Sequence, residues 1–242
     1  MNIHNIDNVN IPFDKGWKSV AISLSGGADS ALLAYLICSI APKDFTIHMI
    51  SHTRMWKTRP WQSFDSLKVY EWLELQFPEL IFKRHTNFIA PDVEYGNMGP
   101  IIKDEYGKMV SGCNAQIRAY SEYVCFNENV DAYFNAVTRN PKIADLGGMK
   151  ERDIDPSDDN KHLEYMVHMD RVVSHPFRFV DKSWVLTQYR RLGIMNLFDV
   201  TRSCEGEFES LDYTTYKPGQ SVPTCGTCFW CKEREWAIEQ SK

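Results

Sequence analysis

No run of apolar residues among these 242 positions approaches the roughly 20 needed to cross a membrane. The amino-terminal stretch MNIHNIDNVNIPFDKG also lacks the apolar centre of a secretion signal. A cytoplasmic protein with no membrane attachment is therefore expected. An excess of positive charge is missing too. The net charge of -5 and pI near 5.8 argue against stable nucleic-acid binding as the main role, although a local basic patch remains compatible with them. There is no internal repeat and no low-complexity segment. With 43% hydrophobic and 24% charged residues, the composition suits a soluble globular chain, long enough for one large domain or a domain with a small appendage.

What is present is an alternation of strand-like and helix-like segments. Residues 18–24 (KSVAISL) read as a short buried strand, and residues 28–40 (ADSALLAYLICSI) as a helix apolar on all sides, stopped by Pro42. Residues 45–51 read as a second strand. Residues 62–76 have helical spacing through Phe64, Leu67, Val69, Tyr70, Leu73 and Leu75, and residues 80–85 read as a third strand. A loop is expected over 91–108, a helix over 114–128 and a strand over 130–137. Residues 139–165 are polar, acidic and weakly periodic, as in a lid or insertion. A helix over 182–193 with Gly193 as its stop signal and a short helix near 231–240 complete the chain. This order predicts an α/β fold, a mainly parallel sheet with helices on both faces. Its parts are a main domain over residues 1–200 and a small metal-binding region over 201–242.

Between the first strand and first helix lies Ser25-Gly26-Gly27-Ala28-Asp29-Ser30. Glycines there let the backbone approach a polyanion and adopt positive φ. Amides at a helix start, with the helix dipole, attract phosphate oxygens. Ser25 and Ser30 add hydroxyl donors. An acid among phosphates, Asp29, suits a Mg²⁺ ligand or an amide cap. The segment lacks the Gly-Lys-Ser/Thr of a Walker A loop. The hexapeptide resembles the pyrophosphate loop of the N-type ATP pyrophosphatases. That resemblance implies cleavage of ATP between the α- and β-phosphates, with transfer of AMP to a substrate oxygen.

The seven cysteines are unevenly spread. Cys38, Cys113 and Cys125 read as small buried hydrophobes. Cys204, Cys225, Cys228 and Cys231 cluster near the carboxyl end, and in a reducing compartment that points to a metal site more than to disulfides. Four thiolates suit a closed tetrahedral Zn²⁺, which would staple the tail; an iron–sulfur cluster takes the same ligand set.

Together, the loop and the cysteines resemble the 7-cyano-7-deazaguanine synthase family of queuosine biosynthesis. Thr201-Arg202-Ser203-Cys204 followed by Cys225-Gly226-Thr227-Cys228-Phe229-Trp230-Cys231 matches the family's carboxyl-terminal pattern. Val110-Ser111-Gly112-Cys113-Asn114 is similar to its Val-Pro-Gly-Arg-Asn. His175-Pro176-Phe177 with Asp181-Lys182-Ser183 is similar to its Pro-hydrophobic and Thr-Lys-Ala segments. The motifs run in order from about residue 18 to residue 234. Cys113 stands where the family has arginine, and His52–Trp56 and Thr138–Pro141 replace segments that shape its substrate pocket.

The resemblance implies an ATP-dependent ligase that joins ammonia to a small deazapurine acid, with ATP, Mg²⁺ and Zn²⁺ as cofactors and a homodimer as the working unit. The alternative is a relative adenylating another acceptor, such as a tRNA base for thiolation. The residues expected at the nucleotide are Ser23, Leu24, Ser25, Gly26, Gly27, Asp29, Ser30, His52, Arg54 and Asn114. Asp29, Ser30 and Lys182 are the candidate catalytic groups. Lys57 and Arg59 join Arg54 as a basic stretch beyond the second strand. Trp56 and Trp61 are candidate stacking or packing residues. His168 and His175 read as packed histidines.

Overall fold

The structure, a computed structural model, describes residues 1–54, 61–89, 102–103, 109–110, 112–142, 165–168, 170–206 and 222–242. Strands β1 (Asn2–Ile6) and β2 (Val9–Phe13) form an antiparallel hairpin. Its turn residues, Asp7 and Asn8, have φ of 45° and 70°. Both are left-handed, as a two-residue turn matched to strand twist requires. The polar sequence of this segment predicts no strand. Val9, Ile11 and Phe13 nonetheless point into the core.

The central sheet has the order β5-β4-β3-β8-β10-β9. It is built from β3 (Ser19–Ser23), β4 (Thr46–Arg54), β5 (Ile81–Ile89), β8 (Ala132–Phe134), β9 (Tyr165–His168) and β10 (Arg171–Ser174). The five strands from β5 to β10 are mutually parallel, and β9 adds an antiparallel edge. The short strands β6 (Ile102–Lys103) and β7 (Met109–Val110) pair separately, the first of them within the expected 91–108 loop. The helices are α1 (Ala28–Ile40), α2 (Gln62–Gln76), α3 (Gly112–Asn127), α4 (Lys182–Arg191), α5 (Met195–Val200) and α6 (Phe229–Gln240).

Strand alternation sorts the core into two faces. Val20 and Ile22 of β3, Ile47 and Met49 of β4, and Ala132 and Phe134 of β8 share one cluster with apolar residues of α1, α2, α4, α5 and α6. Ala21 and Ile50 turn to the other face and meet Val124 and Cys125 of α3. The α/β class with helices on both faces is thus observed. Among the described residues, no helix is long and apolar enough to cross a membrane.

Several details differ from the sequence reading. β4 and β5 end three and four residues beyond the expected 45–51 and 80–85, and each starts one residue later. β9, β10 and α5, at four, four and six residues, are too short to show a periodic pattern in the sequence. Leu75, counted into the apolar spacing of α2, is 83% exposed, and the helix instead buries Asp65, Ser66, Val69 and Leu73. Cys113 is half-buried rather than buried, while Cys38 and Cys125 are buried. Gly193 does follow α4 with φ of 68°, the left-handed stop its sequence signalled. The expected lid falls mostly on 143–164, outside the described residues, as do Trp56, Lys57 and Arg59.

Candidate active site

In this sheet the chain leaves β3 toward β4 on one side, while β8 lies on the other. Open α/β sheets bind ligands outside the carboxyl ends of strands at such a switch point. A cleft of about 330 Å³ opens there. Ser23, Ser25, Gly27, Asp29 and Ser30 line it from the β3–α1 loop, and Asn135 to Thr138 line it from beyond β8. Trp61, Gln62 and Asp65 of the α2 start, Lys182 of α4, Arg202 to Glu205, and Trp230 and Glu233 of α6 complete the wall.

The loop is internally braced. The Ser30 hydroxyl accepts from the Ser25 amide at 3.2 Å, lies 3.0 Å from the Ser25 hydroxyl and donates to the Gly27 carbonyl at 3.1 Å. The Ser25 hydroxyl in turn accepts from the Gly27 amide at 3.2 Å. Gly26 has φ of +80°, and a Cβ there would stand 2.7 Å from the backbone of Asp65 and Ser66. Only glycine allows this turn and this approach to α2. Gly27 is the N-cap of α1 and offers no side-chain cap. The helix start therefore faces the cleft with its dipole unmasked by a capping group.

Lys182 is 5% exposed by side chain, and its Nζ lies 2.9 Å from Asp29 Oδ2 and 3.2 Å from Glu233 Oε2. Burial pushes its pKa down, but the two carboxylates outweigh this and hold it above the ordinary lysine value. The Arg202 guanidinium lies over the Trp61 ring at 4.9 Å, donates to the Pro223 carbonyl at 2.8 Å and also to that of Val222, and its amide donates to the Gly26 carbonyl at 2.9 Å. The segment before the cysteines is thereby tied to the loop.

Residues lining the cleft include four acids, Asp29, Asp65, Glu205 and Glu233, against two bases, Lys182 and Arg202. A polyphosphate would meet net negative charge there unless a divalent cation came with it. Asp29 Oδ1 is buried and has no hydrogen-bond partner among the described residues. A hard cation takes such an oxygen, so the site fits Mg²⁺ accompanying a nucleotide.

The sulfur atoms of Cys204, Cys225, Cys228 and Cys231 all lie within 4.8 Å of one another. Cys204 and Cys225 sulfurs are 3.5 Å apart, and those of Cys225 and Cys231 are 3.9 Å apart. A tetrahedron with metal–sulfur bonds of about 2.3 Å has edges of about 3.8 Å. The spacing fits one four-coordinate ion; a polynuclear cluster would hold its sulfurs farther apart, with several metal atoms and bridging sulfides between them. Backbone amides already point at two sulfurs, Cys225 N to Cys204 at 3.3 Å and Cys228 N to Cys225 at 3.3 Å. A hydrogen bond from Cys228 holds Cys204 down to about 4 and raises Cys228 correspondingly. A cation replacing the shared proton fits that arrangement. Gly206 is required here, since a Cβ on it would stand 2.5 Å from the Cys225 sulfur.

The cleft brings together Ser23, Ser25, Gly27, Asp29, Ser30 and Lys182, with Cys204 in its wall. Leu24 is buried beside it. Three other candidates lie apart from the cleft lining. His52 is buried on the α3 face, 3.2 Å from the Ser121 hydroxyl and 3.3 Å from Asn87; burial first, then Arg54, lowers its pKa to about 4. Arg54 ends β4, and Asn114 is exposed in the first turn of α3. His175 is held down to about 4 by burial and by Arg178 and Arg118, in keeping with a packed histidine. Sequence reasoning missed Asp65, Glu233 and the role of Arg202. Glu233, two residues past Cys231, and Arg202, inside the Thr-Arg-Ser-Cys motif, carried a signal by position; Asp65 carried none.

No protein family and no curated protein matches the chain by sequence. Among solved structures, it is similar to the U34-tRNA thiolase NcsA from Methanococcus maripaludis with its 4Fe-4S cluster, at 16% identity and a TM-score of 0.46. That similarity covers 93% of this chain and 66% of the thiolase chain, so this chain spans just under two thirds of that structure's length. It is also similar to the phosphoadenylyl-sulfate reductase from Candida auris in its phosphate complex, at 12% identity and a TM-score of 0.37, over 79% of this chain and 82% of that one.

Proposed function

We propose that this chain is a PP-loop enzyme that cleaves ATP between the α- and β-phosphates and adenylates a substrate oxygen. The observation that carries this reading is the braced Ser25–Ser30 loop at the sheet's switch point, with Asp29 and Lys182 facing one cleft. Ser25, Ser30 and the first amides of α1 receive the departing pyrophosphate. Lys182 offsets the charge that develops as the bond breaks. Asp29 Oδ1 would hold Mg²⁺, which would neutralise the phosphate oxygens. The four cysteines would hold Zn²⁺ beside the cleft.

The acceptor we propose is 7-carboxy-7-deazaguanine, and the product 7-cyano-7-deazaguanine, formed by a cytoplasmic homodimer. In a first round the carboxylate takes AMP from ATP, and ammonia displaces the AMP to give an amide. In a second round the amide oxygen takes AMP, and loss of AMP with two protons leaves the nitrile. The ordered motifs from Ser25 to Cys231 support this acceptor. Placing carboxylate, ammonia and ATP in one cleft accounts for most of the acceleration. Asp29→Ala should abolish pyrophosphate release while leaving the circular dichroism spectrum unchanged; undiminished release would sink the proposal.

One observation favours a second acceptor class. Cys204 stands in the cleft wall itself, and the segments 52–56 and 138–141 depart from the resemblance. A PP-loop enzyme that adenylates a tRNA base for thiolation would keep the ATP loop and differ in such acceptor-side segments. Supplying the deazaguanine acid, ATP and ammonia separates the two, since the second reading gives no nitrile.

A further inference from the structure

Helix α6 begins at Phe229 with Cys228 as its N-cap, carries Cys231 in its first turn, and two residues later places Glu233 at 1% exposure. The carboxylate of Glu233 meets Lys182, and the same ammonium meets Asp29 in the loop. A chain of neighbouring groups therefore runs from the cysteine cluster through Glu233 and Lys182 to the phosphate loop.

Lys182 needs such help. It is the first residue of α4, where the positive end of the helix dipole opposes a cation, and it is almost fully buried, where desolvation opposes any charge. Its long stem also has many rotamers to lose. Asp29 alone is a poor anchor, because it sits in the first turn of α1 and meets the lysine through one oxygen only. Glu233 meets the same ammonium from a helix fixed at both ends. At one end are the cysteines. At the other, Arg190 of α4 donates to the Ile238 carbonyl at 3.5 Å. In between, Arg234 donates to Thr201 Oγ1 at 2.8 Å and the Phe198 carbonyl at 3.0 Å.

We infer that Glu233 is a positioning residue, through which metal loading of the cysteines sets how Lys182 presents its ammonium to the cleft. The inference rests on the ATP-cleaving reading for its consequence in turnover, but the placement of Lys182 can be measured without turnover.

The test is amine acylation of the full-length, as-purified protein, read by mass spectrometry, with Lys83 (48% exposed by side chain) as internal reference. Lys182 should be protected in the native protein. In Glu233→Gln, with metal content unchanged, its labelling relative to Lys83 should rise by about tenfold, and Glu233→Asp should restore part of the protection. Stripping the metal from the unmutated protein with a chelator should expose Lys182 similarly. In pyrophosphate release, Glu233→Gln should lower kcat by about tenfold with little change in KM for ATP, as expected for a group acting on the chemical step. Protection of Lys182 unchanged in both Glu233→Gln and the chelated protein overturns the inference. Altered labelling in a protein that never cleaves ATP sustains the positioning role and overturns the ATP reading instead.

Discussion

On one face of the sheet, Val20, Ile22, Ile47, Met49 and Phe134 meet five helices through apolar side chains. On the other, Ala21, Ile50 and Val124 share the space with buried His48, His52, Asn87 and Ser121. The apolar face carries the loop, Lys182 and the cysteine helix, and its packing fixes the cleft's geometry. The α3 face is held by polar contacts. His48 Nδ1 lies 3.0 Å from His85 Nε2, Lys83 pairs with Glu128 at 2.6 Å, and His52 joins Ser121. Stability and site geometry thus come mainly from one side of the sheet, and sensitivity to pH from the other.

The largest effect expected on the apolar face is functional. Asp29→Ala should lower pyrophosphate release by about 10²–10³-fold, and, because it takes one of two carboxylates from buried Lys182, it should also lower the melting temperature. Next is Leu33→Ala in α1, fully buried among the five helices, which should cost about 2–5 kcal/mol in denaturant titration. Val124→Ala on the α3 face removes less apolar volume and should cost about 1.6 kcal/mol. A larger loss at Val124 than at Leu33 would place the main stabilising core on the α3 face instead. Gly26→Ala should strain the loop by about 1–3 kcal/mol and weaken ATP binding measured by calorimetry, because its φ of +80° and the backbone of Asp65 and Ser66 both oppose a Cβ.

The smallest effect expected is on the pH dependence of stability, and it belongs to the α3 face. Burial holds His48 and His52 down to about 4, against an ordinary 6.5. The unfolded chain therefore binds more protons than the folded one between these values. Stability is full above about pH 6.5 and falls as pH drops toward 4, by at most about 1.4 kcal/mol per pH unit for each histidine. Melting curves across this range should show the loss, and His52→Asn should flatten it. A slope unaffected by the substitution would move the pH dependence elsewhere.

The apolar face was the legible one. Residues 28–40 and 62–76 matched α1 and α2 at both ends, because a helix bounded by a glycine loop or proline and filled with apolar residues has few alternatives. The Ser25–Ser30 loop and the four cysteines were legible because each is a local pattern with one physical use. What could not be read depended on distant partners. Glu233 and Asp65 look like surface acids until the fold buries them against Lys182 and Arg202. The β1–β2 hairpin alternates so weakly, through Ile3, Ile6, Val9 and Ile11, that its Asp7-Asn8 turn was its clearest signal. β10 is four residues long and takes its place through pairing with β8.

We propose that this cleft splits ATP at the α-phosphate. Phosphorus NMR of the protein with ATP, Mg²⁺, ammonia and 7-carboxy-7-deazaguanine tests it most directly. Equal amounts of AMP and pyrophosphate should accumulate, and both should vanish with Asp29→Ala. ADP and inorganic phosphate, or ATP left intact with every acceptor offered, would contradict it.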